Sequence, residues 1–119
     1  MKKVNINEKL NLFDEYWSPK IVGELNGQFI KLVKVKGEFV WHDHKNEDEL
    51  FLVIKGKLII KLRDKIIELN EGEFFIVPKA TEHKPFAEEE VHLLLFEPKD
   101  IEHTGKIKHE LTKEKPEWI

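Results

Sequence analysis

The sequence predicts an all-β domain, an antiparallel sandwich or barrel, preceded by a short N-terminal helix. Short segments rich in Val, Ile and Phe recur from residue 20 onward, and turn signals such as Asn26-Gly27 separate them. No long helical pattern alternates with these segments, which argues against a parallel α/β sheet. With 119 residues, the chain has the size of one domain and can bury one core without disulfides.

The first element is predicted as a helix from Asn5 to Trp17. Its apolar side chains Ile6, Leu10, Phe13 and Trp17 fall on one stripe at helical spacing. Asn5 is a suitable N-cap residue for such a helix. We therefore expect an amphipathic helix that packs against an edge of the domain.

Nine strands are predicted after this helix, each bounded by a turn signal. They are Ile21–Leu25, Phe29–Lys36, Phe39–His42, Glu49–Ile54, Leu58–Leu62, Ile66–Leu69, Phe74–Val77, His83–Phe86 and Val91–Phe96. The acidic run Glu88-Glu89-Glu90 is predicted as a solvated turn between the last two strands.

The C-terminal residues are charged and weakly patterned, yet the chain ends on Trp118 and Ile119. These two side chains are expected to dock on the body of the domain or on a second subunit. The predicted single domain, residues 1–119, thus divides into an N-terminal helical segment (1–19), a barrel (20–97) and a C-terminal tail (98–119).

Composition excludes several classes of function. The chain has no cysteine, so any metal site must use nitrogen and oxygen ligands. Its net charge of −3 and its single arginine, Arg63, argue against a nucleic-acid partner and against an arginine cluster for anions. No apolar run is long enough to span a bilayer, and the first residues lack the apolar stretch of a signal peptide, so a cytoplasmic location is expected.

Three histidines and a glutamate form a pattern typical of a metal site. His42 and His44 are two residues apart, so on a strand their side chains point to the same face. Glu49 begins the next predicted strand, and His83 must arrive from a distant one. Three imidazole nitrogens and one carboxylate oxygen suit Fe, Mn, Ni, Cu, Co or Zn. A lone His-x-His pair also occurs by chance on protein surfaces, so the distant residues carry the argument.

The order of these residues resembles the two motifs of small single-domain cupins, a family that includes barrels like that of mannose-6-phosphate isomerase. The first motif appears here as Gly37, four residues, His42-Asp43-His44, four residues, Glu49, six residues and Gly56. The second appears as Gly72, five residues, Pro78-Lys79-Ala80, two residues, His83, three residues and Ala87. The first gap is one residue shorter than usual. Ala80 and Ala87 replace the usual glycine and asparagine, which are not ligands.

The resemblance implies a double-stranded β-helix, that is, a jelly-roll barrel. It also implies one divalent transition metal held by His42, His44, Glu49 and His83. Glu47 competes as the carboxylate ligand, but the six-residue step to Gly56 starts from Glu49. A cupin barrel with a vestigial, empty site is the alternative.

Other side chains near the motifs receive weaker interpretations. Phe51 and Val53 are two and four residues from Glu49, so they lie on the same strand face and are expected to line the barrel. Trp41 points to the opposite face from His42 and is expected to pack outside the cavity. Lys31 lies on an otherwise apolar strand face, where it either reaches into the cavity or snorkels at the barrel mouth. The remaining histidines have no partner at ligand spacing and are predicted at the surface: His92, His103 and His109.

Three functions stay open at this point. The favoured one is a metal-dependent enzyme or binder that acts on a small, largely apolar or carbonyl-bearing molecule, with dioxygenase-like chemistry. Proton-shuttling chemistry is less favoured, because the only tyrosine, Tyr16, falls in the predicted helix. The alternatives are a sugar-phosphate isomerase, which the single arginine disfavours, and a non-enzymatic sensing or storage module with a structural metal. We expect a small-molecule ligand, no nucleic-acid or membrane partner, and a homodimer that covers the sheet edges.

Overall fold

The structure, a computed structural model, describes residues 2–99 and 116–119. One short helix precedes the strands, which confirms the predicted all-β class. The elements are α1 (Ile6–Leu10), β1 (Lys20–Leu25), β2 (Gln28–Glu38), β3 (Glu49–Lys55), β4 (Leu58–Leu62), β5 (Ile66–Leu69), β6 (Phe74–Val77), β7 (His83–Pro98) and β8 (Glu117–Trp118). Within the described residues no helix is long and apolar enough to cross a membrane.

Strand β7 is the centre of the sheet. One of its sides pairs antiparallel with β2, and its other side pairs first with β4 and then with β3. The strand order is β5-β4-β7-β2-β1-β8, and β6 adds to the free side of β3. This arrangement gives the predicted jelly-roll barrel, in which alternate side chains of β2, β3 and β7 point to the interior.

Two apolar cores hold the barrel. The larger core fills the interior and includes Trp17, Phe39 and the inward residues of β2, β3, β4 and β7. The smaller core lies outside the barrel, where Leu10 and Phe13 cover Val22 and Leu32. The N-terminal segment therefore packs on the outer face of β1 and β2 at the side of the domain, which agrees with its apolar stripe.

The prediction of two strands separated by an acidic turn is wrong, because His83–Pro98 is one continuous strand. In its register with β2, Val91 is opposite Val35 and Ala87 is opposite Gly37. The run Glu88-Glu89-Glu90 thus has only Lys36 across from it, and its three side chains are exposed at this irregularity. A solvated bulge and a solvated turn have the same sequence pattern, so periodicity could not separate them.

The predicted strand Phe39–His42 is also absent. The backbone here makes only isolated hydrogen bonds to β7: Phe39 N–H donates to Pro85 O at 3.0 Å, and His42 forms a single bridge with His83. This irregular connection nevertheless delivers the first histidines to the barrel interior.

The prediction of a helix over Asn5–Trp17 is right at its start and wrong beyond Leu10. Asn5 caps α1 as expected, since its side chain accepts a hydrogen bond from the Glu8 N–H at 3.0 Å. The residues that follow Asn11 leave the helix, so Tyr16 lies outside it.

Tertiary hydrogen bonds to Lys34 replace the helical ones in the rest of this segment. The Lys34 Nζ donates to Phe13 O at 2.7 Å, and the Trp17 N–H donates to Lys34 O at 2.8 Å. Trp17 takes a left-handed φ of 58°, which no helix continues. Phe13 and Trp17 are still buried, as the apolar stripe requires, but the backbone that carries them is irregular.

The C-terminal residues dock on the body of the same chain, one of the two expected alternatives. Trp118 pairs in parallel with Ile21 of β1, and the Ile119 N–H donates to Ile21 O at 3.0 Å. The Lys9 Nζ donates to Ile119 O at 2.7 Å. Most of the predicted tail, including His103 and His109, lies outside the described residues.

Candidate metal centre

Four side chains that could hold a metal ion meet inside the barrel. Each of His42, His44, Glu49 and His83 offers one ligand atom, and these atoms all lie within 4.8 Å of one another. All four residues are buried. The structure therefore brings together the set that the two motifs predict.

Backbone pairing brings the distant histidine to the first pair. The His42 N–H donates to His83 O at 3.1 Å, and the His83 N–H donates to His42 O at 2.9 Å. The two imidazole ring centroids are consequently 4.2 Å apart. His44 follows two residues later on the same face, and its carbonyl accepts from the Ala80 N–H at 2.7 Å.

Two of the histidines are oriented by backbone carbonyls. The Nδ1 atoms of His42 and His83 lie 2.9 Å from Val40 O and Thr81 O, respectively. A carbonyl only accepts, so each Nδ1 carries the proton and each Nε2 keeps a free lone pair. This is the arrangement that orients histidine ligands in metal sites.

Burial and neighbouring charge tune the cluster. Burial, followed by the nearby His83, lowers the pKa of His42 to about 4, so this imidazole is neutral at physiological pH. Burial opposes ionisation of Glu49, but the adjacent imidazoles of His44 and His83 hold the pKa of its carboxyl well below the ordinary value. Neutral imidazoles and an ionised carboxylate are the forms that bind a metal.

Three buried atoms of the cluster test whether a metal fits. His44 Nε2, His83 Nε2 and Glu49 Oε1 have no hydrogen-bond partner among the described residues. The Glu49 Oε1 is 3.3 Å from His44 Nε2 and 3.5 Å from His83 Nε2. Unpartnered buried polar atoms destabilise a fold, and one cation between them would satisfy all three. The donor set and its convergence fit a divalent transition ion.

A cavity of about 370 Å³, including its open mouth, adjoins the cluster. His42 and Glu49 form its polar part, and the remaining lining is apolar or aromatic. Trp17 and Phe39 stack on each other in this lining, with ring centroids 4.6 Å apart and planes 14° apart. The sequence pattern did not indicate these two as lining residues, because one lies on the N-terminal segment and the other on an irregular connection.

Several expectations about neighbouring residues are confirmed. Phe51 lines the cavity, and Val53 is buried in the interior core. Trp41 lies outside the lining and stacks under the guanidinium of Arg63, which is 3.7 Å from its ring centroid. Glu47 lies outside the cluster, where its carboxylate accepts from the Asn46 N–H at 3.1 Å.

His92 is likewise outside the cluster. Its Nε2 lies 2.6 Å from the Glu90 carboxylate, which also accepts a hydrogen bond from the Tyr16 hydroxyl at 2.8 Å. Tyr16 is therefore engaged at the surface, away from the cavity.

Sequence reasoning missed Glu97. This residue is fully buried, and its Oε1 lies 2.8 Å from the Nζ of Lys31, which is itself 1% exposed. Lys31 thus points inward rather than snorkelling at a barrel mouth. Burial and the charge of Glu49 raise the pKa of Glu97 well above the ordinary value. The spacing along the strand could have indicated that Glu97 is buried. Glu97 lies two and four residues from Leu95 and Leu93, so it shares the strand face that these apolar residues turn to the interior.

Comparison with known proteins agrees with this architecture. The family model described as "Cupin domain" matches residues 29–104. A cupin-2 domain containing protein from Shewanella frigidimarina is 48% identical, with a TM-score of 0.80, and the match covers 81% of this chain and 94% of that one. The structure of protein NMB1881 from Neisseria meningitidis is 31% identical, with a TM-score of 0.75 and coverage of 82% and 99%. The uncharacterized protein YdbB of Bacillus subtilis is 36% identical over 64 residues, which span 53% of this chain and 57% of that protein.

Proposed function

The chain belongs to the cupin domain family, and from this premise we propose that it binds one divalent transition metal and a small molecule beside it. His42, His44, Glu49 and His83 would hold the metal. The observation that carries the proposal is the convergence of their ligand atoms within 4.8 Å, three of them buried and without a partner among the described residues. Fe, Mn, Ni, Cu, Co and Zn all suit three imidazoles and one carboxylate.

When bound, such a metal supplies a Lewis acid with coordination positions left open for a small molecule. The chain's own residues contribute orientation and an apolar environment. Val40 O and Thr81 O keep the Nε2 atoms of His42 and His83 free for the ion. The aromatic and aliphatic lining makes the cavity side of the cluster largely apolar.

The lining of the cavity favours a small, largely apolar molecule with one polar group that reaches the metal. Among the described residues that line it, the only ionisable side chains are His42 and Glu49, which both belong to the proposed ligand set. In the described part of the chain no other lining side chain is left to shuttle protons, so we favour oxidation of the dioxygenase type over acid–base isomerisation. A sugar phosphate is disfavoured, since residues 2–99 and 116–119 place neither lysine nor arginine in the cavity lining.

We also propose that the chain forms a homodimer through the outer face of its sheet. Phe74 and Ile76 of β6 are 59% and 46% exposed. In the register of the strands, Leu52 is opposite Phe74 and Leu50 is opposite Ile76. These four side chains form one apolar patch beside the outer edge of β6. A second copy of the same patch is a suitable partner in a two-fold dimer.

Elemental analysis tests the metal site directly. Protein purified without chelator is expected to contain close to one equivalent of a divalent transition metal per chain. Protein that is isolated without metal, and then takes up neither Mn, Fe, Ni nor Zn in titration, would contradict the proposal.

A further inference from the structure

Two buried polar residues, Lys31 and Glu97, lie behind the carboxylate of the candidate metal centre. We propose that Lys31 and Glu97 are positioning residues that hold Glu49 in the orientation required for metal binding. The inference rests on the proposed function, because it assigns these two residues a role toward the same ion.

Strand register places the three charged groups in one row. Leu50 of β3 is opposite Phe96 of β7, so Glu49 and Glu97, one step further along, come opposite each other. On the other side of β7, Phe29 of β2 is opposite Glu97. Lys31 is two residues from Phe29 and therefore diagonal to Glu97 on the same face. All three side chains point into the barrel at its metal-bearing end.

The contacts form a chain from Lys31 to the histidines. The Lys31 Nζ is 2.8 Å from Glu97 Oε1. The other carboxyl oxygen, Glu97 Oε2, is buried without a hydrogen-bond partner among the described residues, and strand register places Glu97 beside Glu49. Glu49 Oε1 in turn faces the Nε2 atoms of His44 and His83. Glu97 thus lies behind the Glu49 carboxylate, whose Oε1 is directed toward His44 and His83.

Stability alone does not account for this pair. Burying polar or charged groups is costly, and replacing such a buried pair by apolar side chains of similar volume is often neutral or stabilising. The same two strands carry apolar side chains at equivalent inward positions: Leu93 and Leu95 on β7, and Val33 on β2. A polar pair beside the Glu49 carboxylate is better explained by orientation of a ligand. Residues that orient metal ligands in this way typically change metal affinity by about 10–100-fold when removed.

Two double variants separate positioning from packing. Lys31→Met/Glu97→Leu removes both polar groups beside Glu49. Lys31→Met/Glu97→Gln removes the same lysine but keeps a polar side chain of the shape of Glu97, whose amide can donate to Glu49 as a protonated carboxyl would. The measurements are the dissociation constant for Co²⁺ by chelator competition, the visible absorption spectrum of the Co²⁺ protein, and a thermal melt of the metal-free protein.

We expect the leucine variant to fold, to bind Co²⁺ about 10–100-fold more weakly, and to show an altered spectrum. The glutamine variant is expected to recover most of the affinity and the wild-type spectrum. Lys34→Met is the matched control, since Lys34 is a buried lysine on the opposite face of β2, and it should change neither property.

Wild-type affinity and spectrum in a folded leucine variant would overturn the positioning role and leave the metal site intact. If the leucine variant does not fold, the glutamine variant decides. A tenfold or greater loss of Co²⁺ affinity in the glutamine variant would overturn the positioning role, and wild-type affinity in that variant would support it. Wild-type protein that binds no Co²⁺ would overturn both the metal site and the positioning role.

Discussion

Burial distinguishes His42 from a surface histidine and makes the metal-free barrel sensitive to acid. Its pKa falls from the ordinary 6.5 to about 4, because burial and the nearby His83 disfavour the charged form. The unfolded chain binds this proton near pH 6.5, whereas the folded chain does not until about pH 4. The stability that His42 contributes is therefore complete above pH 6.5 and is lost progressively as the pH falls toward 4.

We expect this one group to cost the metal-free protein about 3 kcal/mol between pH 7 and pH 4. Urea unfolding of chelator-treated protein across this range measures the loss. In His42→Gln, which cannot titrate, the acid-dependent loss should be smaller by that amount. An unchanged pH profile in the variant would show that His42 does not titrate as its burial implies.

Removal of a single ligand should separate metal binding from folding. In His83→Ala and in the larger His83→Gln, metal content is expected to fall to near zero, while circular dichroism keeps its β-sheet signature. The free energy of unfolding of the metal-free variants should drop by about 1–3 kcal/mol, a usual cost for one buried substitution.

The physical reason is that the interior core consists of apolar side chains that need no ion to pack. Val35, Val53, Ile60 and Leu93 are among its fully buried members. If both variants are unfolded, the metal is structural, and the sensing or storage function gains over the catalytic one. Full metal content in His83→Ala would remove His83 from the ligand set.

At the scale of the element, the turn between β6 and β7 contains a strained residue. Ala80 has a φ of 62°, in the left-handed region where cupins usually have glycine at this motif position. The strain explains the family preference, because a Cβ in this region costs energy that glycine avoids.

Ala80→Gly is expected to stabilise the protein by about 0.5–1 kcal/mol. Glycine relieves the backbone strain of the folded state, and this gain exceeds the cost of the greater conformational freedom that glycine gives to the unfolded chain. Thermal melts of the metal-free protein measure the change. The same substitution at the other motif departure, Ala87→Gly, is the control. Ala87 is fully buried in β7 without a positive φ, so its loss should destabilise. A change in the free energy of unfolding in the same direction for both substitutions would contradict the strain at Ala80.

At the scale of the whole molecule, the apolar patch on β3 and β6 is expected to hold two copies together. Light scattering at micromolar concentration should give about twice the chain mass of 14.2 kDa. Phe74→Lys/Ile76→Lys places two charges in the patch and is expected to yield monomers. Ile66→Lys, which changes an exposed side chain on β5 outside the patch, should remain a dimer. A wild-type mass near that of one chain would refute the dimer.

The amino-acid pattern was sufficient to predict the fold class and the four side chains that could hold a metal. Alternation of apolar residues within β3 and β7 is a local property, and strand geometry converts it directly into a buried face. The four side chains were predicted from the spacing of the two motifs, because His42 and His44 lie on an irregular connection. The two-residue turn at Asn26-Gly27 is local in the same way: both residues have a positive φ, 50° and 77°.

Contacts between distant strands settle which buried polar groups come together and where the irregular segments lie. Glu49, Glu97 and Lys31 come from three strands, and nothing in any one strand records the register between them. The N-terminal segment leaves its helix after Leu10 because hydrogen bonds to Lys34, a residue of β2, replace the helical ones. Periodicity reports which face of an element is buried, whereas pairing between distant strands sets the partner of each buried group.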